Sequence, residues 1–269
     1  MKKVVILTAD ELRHSYFKIK FALQRDINVL KTYCDVTKKK YDLNNTDFKD
    51  IQNIHFVSRY QTERDFFEEY VRSLENFSNS QYIQRGEINK DEYIEEICKL
   101  DPDFIVSYGC CIIKPKLINL FKDRIINVHL GLSPYYFGSG TNFHPFVNKE
   151  LSAIGCTFMY MDEGIDTGRI IHQIRANIGA CDNIHQIGNR LIKDMTQEFI
   201  ELIKNFEKVR DKTSPTNKIG KTYKARDCTI DTIQMAYENI KKGICLEYLQ
   251  NKKDLDSEFP LIKQDFLCL

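Results

Sequence analysis

The chain has 269 residues, 42% of them hydrophobic, so it can bury a sizeable core as one large domain or as one domain with an appendage. Intrinsic disorder is therefore not expected. The formal net charge of +1 gives no global attraction to nucleic acid or to an anionic membrane, although a local patch stays possible.

The first predicted element is a buried parallel strand over Val4–Leu7, followed by Thr8–Asp10 as a cap and a helix over residues 11–24. The connecting turn holds no glycine, which argues against an NAD enzyme or a kinase. Arg13 and His14 follow the C-terminal edge of this strand, where open α/β sheets bind ligands, so they are candidate phosphate contacts. A solvated first turn of a helix is an equal alternative.

Residues 27–33 resemble a second strand, and residues 54–57 are predicted as a short third one. Between them, Lys38–Lys40 indicates a polar loop. Apolar and aromatic residues recur at helical spacing over residues 63–74, a stripe that favours core packing over nucleobase stacking. Residues 81–89 look like a polar break, and three further elements follow: a helix over 93–100, a strand over 103–108 and a helix starting near Lys116.

Residues 125–128 read as a buried strand that ends in a polar, proline-marked turn. Side chains alternate along a strand, so Asn127 and His129 leave its end on one face, while Val128 points the other way into packing. A glycine-containing loop over 135–141 and a short helix over 142–148 come next. His144 in that helix is more typical of a structural histidine than of a ligand contact.

Strands over residues 154–160 and 170–175 are predicted to flank the turn Gly164–Gly168, which has glycine on both sides of Asp166. A helix over 184–206 closes the domain. With a boundary at Ser214-Pro215, we expect a catalytic domain over 1–206 and a mostly helical extension over 207–269, with one helix over 230–242.

Asn127, His129 and Asp166 form a cluster if the turn packs beside the strand. These three side chains suit acyl transfer to an amine. The Asn127 carboxamide or a protonated His129 can donate to the oxygen that gains negative charge. Asp166 can orient the imidazole and relay the proton that the attacking nitrogen loses, through water.

Three segments carry a resemblance to the folate-dependent formyltransferase family: Asn127-x-His129, the following Gly-Leu-Ser-Pro134-Tyr-Tyr-x-Gly138, and Asp162-Glu-Gly-Ile-Asp166-Thr-Gly168. The resemblance covers roughly residues 1–205. It implies an α/β fold, with a mostly parallel Rossmann-like sheet flanked by helices. It also implies 10-formyltetrahydrofolate as the formyl donor, with no metal, and it places the family's catalytic residues on Asn127, His129 and Asp166.

Two sets of binding residues are expected, and the first of them is implied by the same resemblance. The set assigned to the folate is Cys110, Cys111, Ile112 and Ile113, acting mostly through backbone groups, together with Asp162, Glu163 and Gly164 against the pterin. For the first four, plain packing under a proline-capped helix is the alternative. The set assigned to the acceptor is Arg13, His14, Ser133, Tyr135, Gly138 and His144. Neither Cys110 nor Cys111 is expected to act as a nucleophile, since the family's chemistry needs no covalent intermediate.

For the acceptor, a nucleotide-linked amino sugar is the first choice. The first turn lacks the glycine-rich loop of the glycinamide ribonucleotide branch, and the tail lacks the alternating strands of the barrel that the initiator-tRNA branch carries. Nucleic acid is therefore not the favoured partner. The alternatives are a tRNA-formylating enzyme with a shortened tail and a non-catalytic folate-binding protein. A deformylating hydrolase is disfavoured, because the first strand starts at once and leaves no room for a preceding regulatory domain.

The cellular setting is predicted from the cysteines and the N-terminus. The nine cysteines show no paired C-x-x-C spacing, which is typical of reduced, buried thiols without a zinc site. Asp10 and Glu11 arrive before a signal-peptide core accumulates, and no stretch approaches the roughly 20 apolar residues of a membrane span. We therefore expect a cytoplasmic protein without a membrane partner, with a homodimer as one possible assembly.

Overall fold

The computed structural model describes residues 1–37, 50–217 and 219–264. The polar loop predicted over Lys38–Lys40 lies outside these residues. Within them, a seven-stranded sheet has helices on both faces, and a separate two-stranded sheet lies beside it. The strands are β1 (Lys2–Ala9), β2 (Ile27–Val36), β3 (Ser80–Gln84), β4 (Phe104–Ser107), β5 (Ile125–His129), β6 (Tyr136–Gly138), β7 (Gly155–Tyr160), β8 (Ile170–Arg175) and β9 (Lys221–Tyr223).

The order in the large sheet is β3-β2-β1-β4-β5-β7-β8. The first five of these strands run parallel, whereas β7 is antiparallel to both β5 and β8. The helices are α1 (Leu12–Ala22), α2 (Ile51–Ser73), α3 (Asp91–Leu100), α4 (Pro115–Leu120), α5 (His144–Asn148), α6 (Ile184–Lys204), α7 (Ile230–Lys241), α8 (Ile244–Gln250) and α9 (Lys252–Ser257). The predicted mostly parallel sheet flanked by helices is confirmed, as is the helical C-terminal region.

The alternation of side chains along β1 explains why the sheet has a core on each face. Val4 and Ile6 belong to the core that includes residues of α1 and α6, and Val5 and Leu7 belong to the one that includes residues of α3 and α4. All four side chains are buried. A strand buried on both faces reads as a continuous apolar run, which is how the sequence presented β1.

Two predictions of local structure are wrong in α2 and β3. Residues 54–57 are not a strand but the first turns of α2, since a four-residue apolar run does not distinguish a strand from part of a helix. Residues 81–84 are not a polar break, because they pair with β2 as the edge strand β3. Only Ile83 of this strand is buried, so its pattern gave a weak signal.

The predicted cap of α1 is also wrong. The helix is preceded by Glu11 rather than by Asp10. The Asp10 carboxylate instead accepts hydrogen bonds from the backbone N–H and hydroxyl of Thr37, at 3.1 and 2.5 Å. Asp10 therefore ties the end of β1 to the residue just after β2.

The C-terminal segment contributes a strand that the sequence did not predict. In the small sheet, β9 pairs in parallel with β6, which lies between the Asn-x-His strand and α5. Further along, Gln264 donates its backbone N–H to His172 Nδ1 of β8 at 3.0 Å. The residues after α6 therefore pack on the main sheet and on the loop that follows β5.

Among the helices of the described residues, none combines the length and the apolar content that crossing a membrane requires.

Candidate functional site

The imidazole of His129 and the carboxylate of Asp166 meet at the C-terminal end of β5. His129 Nδ1 lies 3.3 Å from Asp166 Oδ1. His129 is 6% exposed, and the Asp166 side chain is 14% exposed. The strand β5 and the turn between β7 and β8 thus bring together two side chains that are far apart in the sequence.

The imidazole is held at a second point by the backbone. His129 Nε2 lies 3.0 Å from the carbonyl oxygen of Tyr136. Gly131 packs directly against the ring, and a Cβ atom at Gly131 would collide with Nε2 and with the side chain of Thr141. The position of the His129 ring therefore depends on the backbone at Tyr136 and on the absence of a side chain at Gly131.

The backbone of the turn gives Asp166 its orientation. Asp166 has φ = 57°, in the left-handed region that aspartate tolerates better than most residues. Its Oδ2 accepts a hydrogen bond from the backbone N–H of Gly138 at 2.9 Å. One carboxylate oxygen is thus bound to the loop after β5, and the other faces His129.

Asn127 lies in β5 between the buried residues Ile126 and Val128, and it is only partly buried itself. It pairs with Ser107 of β4 on one side and with Met159 of β7 on the other. Within the described ranges, its carboxamide has no hydrogen-bond partner. The strand alternation predicted for Asn127 and His129 agrees with this placement at one sheet edge.

The loop predicted to face the folate is fixed by two polar side chains from other elements. Asp35 at the end of β2 accepts a hydrogen bond from the backbone N–H of Cys111 at 2.6 Å. Asn89 donates to the carbonyl oxygen of Ile112 at 3.0 Å and accepts from the N–H of Lys114 at 2.7 Å. Ile112 is 73% exposed between these anchors, whereas Ile113 is buried.

Burial raises the pKa of the Cys110 thiol to about 12 and that of Cys111 to about 11. Both groups are therefore protonated at neutral pH. This agrees with the expectation that neither cysteine serves as a nucleophile, since the thiolate is the reactive form.

The turn between β7 and β8 presents an exposed surface beside Asp166. Asp162, Glu163 and Gly164 are exposed. Asp162 accepts hydrogen bonds from the Gly164 N–H at 3.1 Å and from the Thr167 hydroxyl at 2.8 Å, which closes the turn on itself. Ile165 is 54% exposed and adds an apolar side chain to this surface.

The structure places Arg13 and His14 in the protein rather than in solvent. Arg13 donates from its backbone N–H and from Nη1 to the Glu63 carboxylate, at 2.8 and 2.7 Å, and it also pairs with Glu11. His14 is 3% exposed and lies against Tyr108, with ring centroids 4.9 Å apart. Burial holds the pKa of His14 well below its usual value of 6.5, so its ring is neutral at pH 7.

The remaining residues assigned to the acceptor differ in accessibility. Ser133 is fully buried, and the Gly138 N–H already donates to the Asp166 carboxylate. In this structure both residues therefore stabilise the loop after β5. Tyr135 is partly buried against Phe259, with ring centroids 5.0 Å apart. His144 is 3% exposed, and burial lowers its pKa to about 4.

Tyr223 of β9 is a neighbour of the site that the sequence did not indicate. Its ring stacks on His144, with centroids 3.8 Å apart, and on Tyr136, with centroids 5.6 Å apart. Its carbonyl oxygen accepts a hydrogen bond from the backbone N–H of Ser139 at 2.9 Å. Nothing in a three-residue polar segment signals pairing with a loop some eighty residues earlier, so sequence patterns could not reveal it.

Within residues 1–37, 50–217 and 219–264, no group of three or more histidine, cysteine, aspartate or glutamate side chains is placed to hold a metal ion.

Comparisons with known proteins relate the chain to formyl-transferring enzymes. Residues 23–203 match the model of a family described as formyl transferase. A methionyl-tRNA formyltransferase of Desulforamulus reducens is 33% identical over 155 residues, which cover 57% of this chain and 48% of that protein. The chain spans about half the length of the curated relatives that it matches first.

Two solved structures share the fold. One is the formyltransferase PseJ from Anoxybacillus kamchatkensis in complex with UDP-4,6-dideoxy-4-formamido-L-AltNAc and tetrahydrofolate. It is 22% identical, with a TM-score of 0.51, over 87% of this chain and 97% of PseJ. The other is a 4-N formyltransferase from Francisella tularensis, 20% identical, with a TM-score of 0.57, over 89% of this chain and 87% of that one. At these identities the likeness concerns the fold alone.

Proposed function

This chain belongs to the formyl transferase family, and on that premise we propose that it transfers the formyl group of 10-formyltetrahydrofolate to the primary amine of a nucleotide-linked amino sugar. The observation that carries the proposal is the contact between His129 and Asp166 at the end of β5, with Asn127 on the same strand. The cytoplasm is the proposed place of action.

The residues of two loops fit a folate donor. The 109–113 loop is fixed by Asp35 and Asn89, and it exposes the apolar side chain of Ile112. The turn before Asp166 exposes Ile165 in the same way. We propose that Cys110–Ile113 and Asp162–Gly164 hold the donor through backbone groups and these apolar surfaces, as ligand sites commonly do. No metal takes part in this proposal.

When bound, the donor supplies a formyl carbonyl whose oxygen gains negative charge as the amine nitrogen attacks. The Asn127 carboxamide and His129 are the hydrogen-bond donors that this chain offers to that charge. For His129 Nε2 to donate to it, the bond to the Tyr136 carbonyl must be exchanged for one to the substrate. Asp166 keeps Nδ1 in place during this exchange and takes up, through water, the proton that the amine loses. It can return that proton through water to the N10 nitrogen of the donor, so that tetrahydrofolate leaves as a neutral amine when the bond between N10 and the formyl carbon breaks.

The acceptor assignment is supported by one solved relative and by the formal net charge of +1, which gives the chain no general attraction to a long polyanion such as tRNA. PseJ was crystallised with a UDP-linked formamido sugar, so the shared fold accommodates such a molecule in that protein. Among the residues expected to contact the acceptor, Tyr135 is the accessible one. We propose that Arg13, which Glu63 and Glu11 hold, and the buried His14 and His144 shape the acceptor site from behind, with Ser133 and Gly138 supporting the loop between them.

A tRNA acceptor is the second candidate, because the curated relatives named above are methionyl-tRNA formyltransferases. Incubation of the protein with 10-formyltetrahydrofolate and separate acceptors distinguishes the two. We expect tetrahydrofolate release with a UDP-linked 4-amino sugar and none with initiator methionyl-tRNA. Tetrahydrofolate release with initiator methionyl-tRNA and none with the sugar would make tRNA the acceptor. Tetrahydrofolate release without any amine would indicate a hydrolase. Binding of the donor without turnover would indicate a folate-binding protein.

A further inference from the structure

One face of α2 points Arg59 toward the C-terminal edge of the main sheet. His55, Arg59 and Glu63 follow one another at four-residue spacing, so they lie on the same side of the helix. Glu63 binds Arg13 at the start of α1. His55 packs against His185 of α6, with ring centroids 4.8 Å apart. Both flanking residues face the protein, so Arg59 faces the same way.

The electrostatic neighbours of Arg59 belong to several parts of the fold. Arg59 interacts electrostatically with Arg13 and Glu63, with Tyr108 just after β4, and with Cys228 just before α7. A side chain within reach of three separate parts of the fold lies between them. Arg59 is nevertheless exposed. Thr8 Oγ1 donates to the Tyr108 carbonyl at 2.8 Å, which joins the end of β1 to the segment just after β4, beside Arg59.

The guanidinium of Arg59 is available for a ligand. In the described part of the chain, no side chain is hydrogen bonded or ion-paired to it. Arg13 differs, because Glu63 and Glu11 bind its guanidinium. Arg64, one residue beyond Glu63, pairs with Glu68 at 2.8 Å.

Arg59 also keeps its positive charge at neutral pH. The neighbouring Arg13 guanidinium lowers the pKa of Arg59 to about 10. Arg59 therefore remains a cation at pH 7, beside a second cation. A guanidinium presents five N–H donors in a planar fork that matches the oxygens of a phosphate.

We infer that Arg59 binds the phosphate groups of the acceptor. The inference rests on the proposed function and makes Arg59 the residue that selects a phosphate-bearing amine. Two strand spacings, about 10 Å, separate the end of β1 from the end of β5, where His129 lies. An amino-sugar ring joined to a phosphoester spans a gap of this order, so one molecule can reach both residues.

The test compares Arg59→Gln and Arg59→Lys with the control Arg64→Gln. Arg64 lies on the same helix, with its charge already paired, so its loss reports any general effect on α2. Binding of UDP is measured by isothermal titration calorimetry. We expect Arg59→Gln to weaken UDP binding by on the order of 10- to 100-fold, the range for a charge-assisted bidentate contact. Arg59→Lys should recover part of this loss, and Arg64→Gln should bind UDP like the unmodified protein.

Kinetics give the second readout. Arg59→Gln should raise the KM for the UDP-linked amino sugar and leave the KM for the formyl donor unchanged. UDP binding that is equal in Arg59→Gln and the unmodified protein would overturn the inference, as would a protein that does not bind UDP at all. If UDP binding depends on Arg59 but no amino-sugar nucleotide is formylated, the inference about Arg59 stands and the proposed function is wrong. Thermal unfolding of each variant confirms that α2 is intact.

Discussion

His129 is held by three neighbours, and only one of them is visible in the sequence. The turn chemistry around Asp166 indicated a carboxylate at this site. The Tyr136 carbonyl and the close packing of Gly131 leave no side-chain signature, because one is a backbone group and the other lacks a side chain. Sequence patterns therefore indicated the proposed catalytic side chains but not the backbone groups that hold the imidazole.

Replacing either member of the contacting pair should impair turnover without unfolding the protein. We expect His129→Ala and Asp166→Asn each to lower the rate of tetrahydrofolate release by on the order of 100-fold or more, the usual contribution of general acid–base groups. Steady-state kinetics measure the loss. Asp101→Asn is the control. Asp101 has a positive φ that asparagine tolerates, and it lies near the N-terminal ends of the strands, where Lys3 of β1 donates to it. An unchanged rate in either variant removes that residue from the mechanism.

Gly131→Ala tests whether the ring position matters. The added Cβ would collide with His129 Nε2 and Thr141, so the imidazole must move. We expect a loss of turnover of on the order of 10-fold or more, with donor binding retained. Gly188→Ala in α6 is the matched control, because a Cβ there has open space, and alanine favours a helix by about 1 kcal/mol over glycine. Equal activity of the two variants would contradict the proposed role of Gly131.

At the scale of elements, the long periodic helix α6 and the buried strands were predictable, whereas the start of α2 and the strands β3 and β9 were not. The helix α6 was anticipated within two residues of its observed end at Lys204, because its apolar stripe repeats over five turns. In α2 the buried residues His55, Glu63 and Phe67 include two polar ones, so the helical period was hidden in its first half. The pair β6–β9 was missed because its partners are distant in the chain.

Tyr223→Ala should loosen the pairing of β6 with β9. The variant loses the stacking on His144 and Tyr136. The Ser139 amide, whose N–H donates to the Tyr223 carbonyl, should then exchange its hydrogen on the order of 10-fold faster. Hydrogen–deuterium exchange measures this rate. Tyr223→Phe keeps the ring and loses only the hydroxyl that accepts from Asn148, so it should exchange like the unmodified protein.

Slower formyl transfer should accompany the faster exchange in Tyr223→Ala, because β6 ends at Gly138, whose N–H binds Asp166. Full activity together with rapid exchange at Ser139 would show that formyl transfer does not depend on the pairing of β6 with β9.

At the scale of the whole molecule, buried neutral histidines should make the fold sensitive to acid. Burial lowers the pKa of His55 and His144 to about 4 and that of His185 to about 3, from 6.5, and the pKa of His14 lies well below 6.5. The unfolded chain therefore binds more protons than the folded one below pH 6.5. Their contribution to stability is complete above about pH 6.5 and declines as the pH falls toward 4, by about 1.4 kcal/mol per pH unit for each fully titrating histidine.

Urea unfolding at a series of pH values measures this decline in the free energy of unfolding. His55→Gln removes one of the titrating groups, so the slope between pH 6.5 and 5 should be shallower in that variant. An identical slope would show that His55 does not titrate as its burial implies.

The fold class could be read from the sequence, whereas the acceptor could not. Continuous apolar runs such as Val4–Leu7 indicate strands buried on both faces, and these imply helices on both sides of the sheet. The proposed phosphate site lies where α2, the segment just after β4 and the segment before α7 come together around Arg59. Arg59 enters it through spacing on a helix whose start the sequence did not reveal.

The parallel pairing of β6 with β9 has a consequence for biosynthesis. A ribosome makes the strand bearing His129 early, but Lys221–Tyr223 emerge only after α6 has been translated. Until then β6 lacks its partner strand β9, and the loop that holds Asp166 through Gly138 is incomplete. We expect competence for the reaction to arise late in translation, when the last part of the small sheet docks.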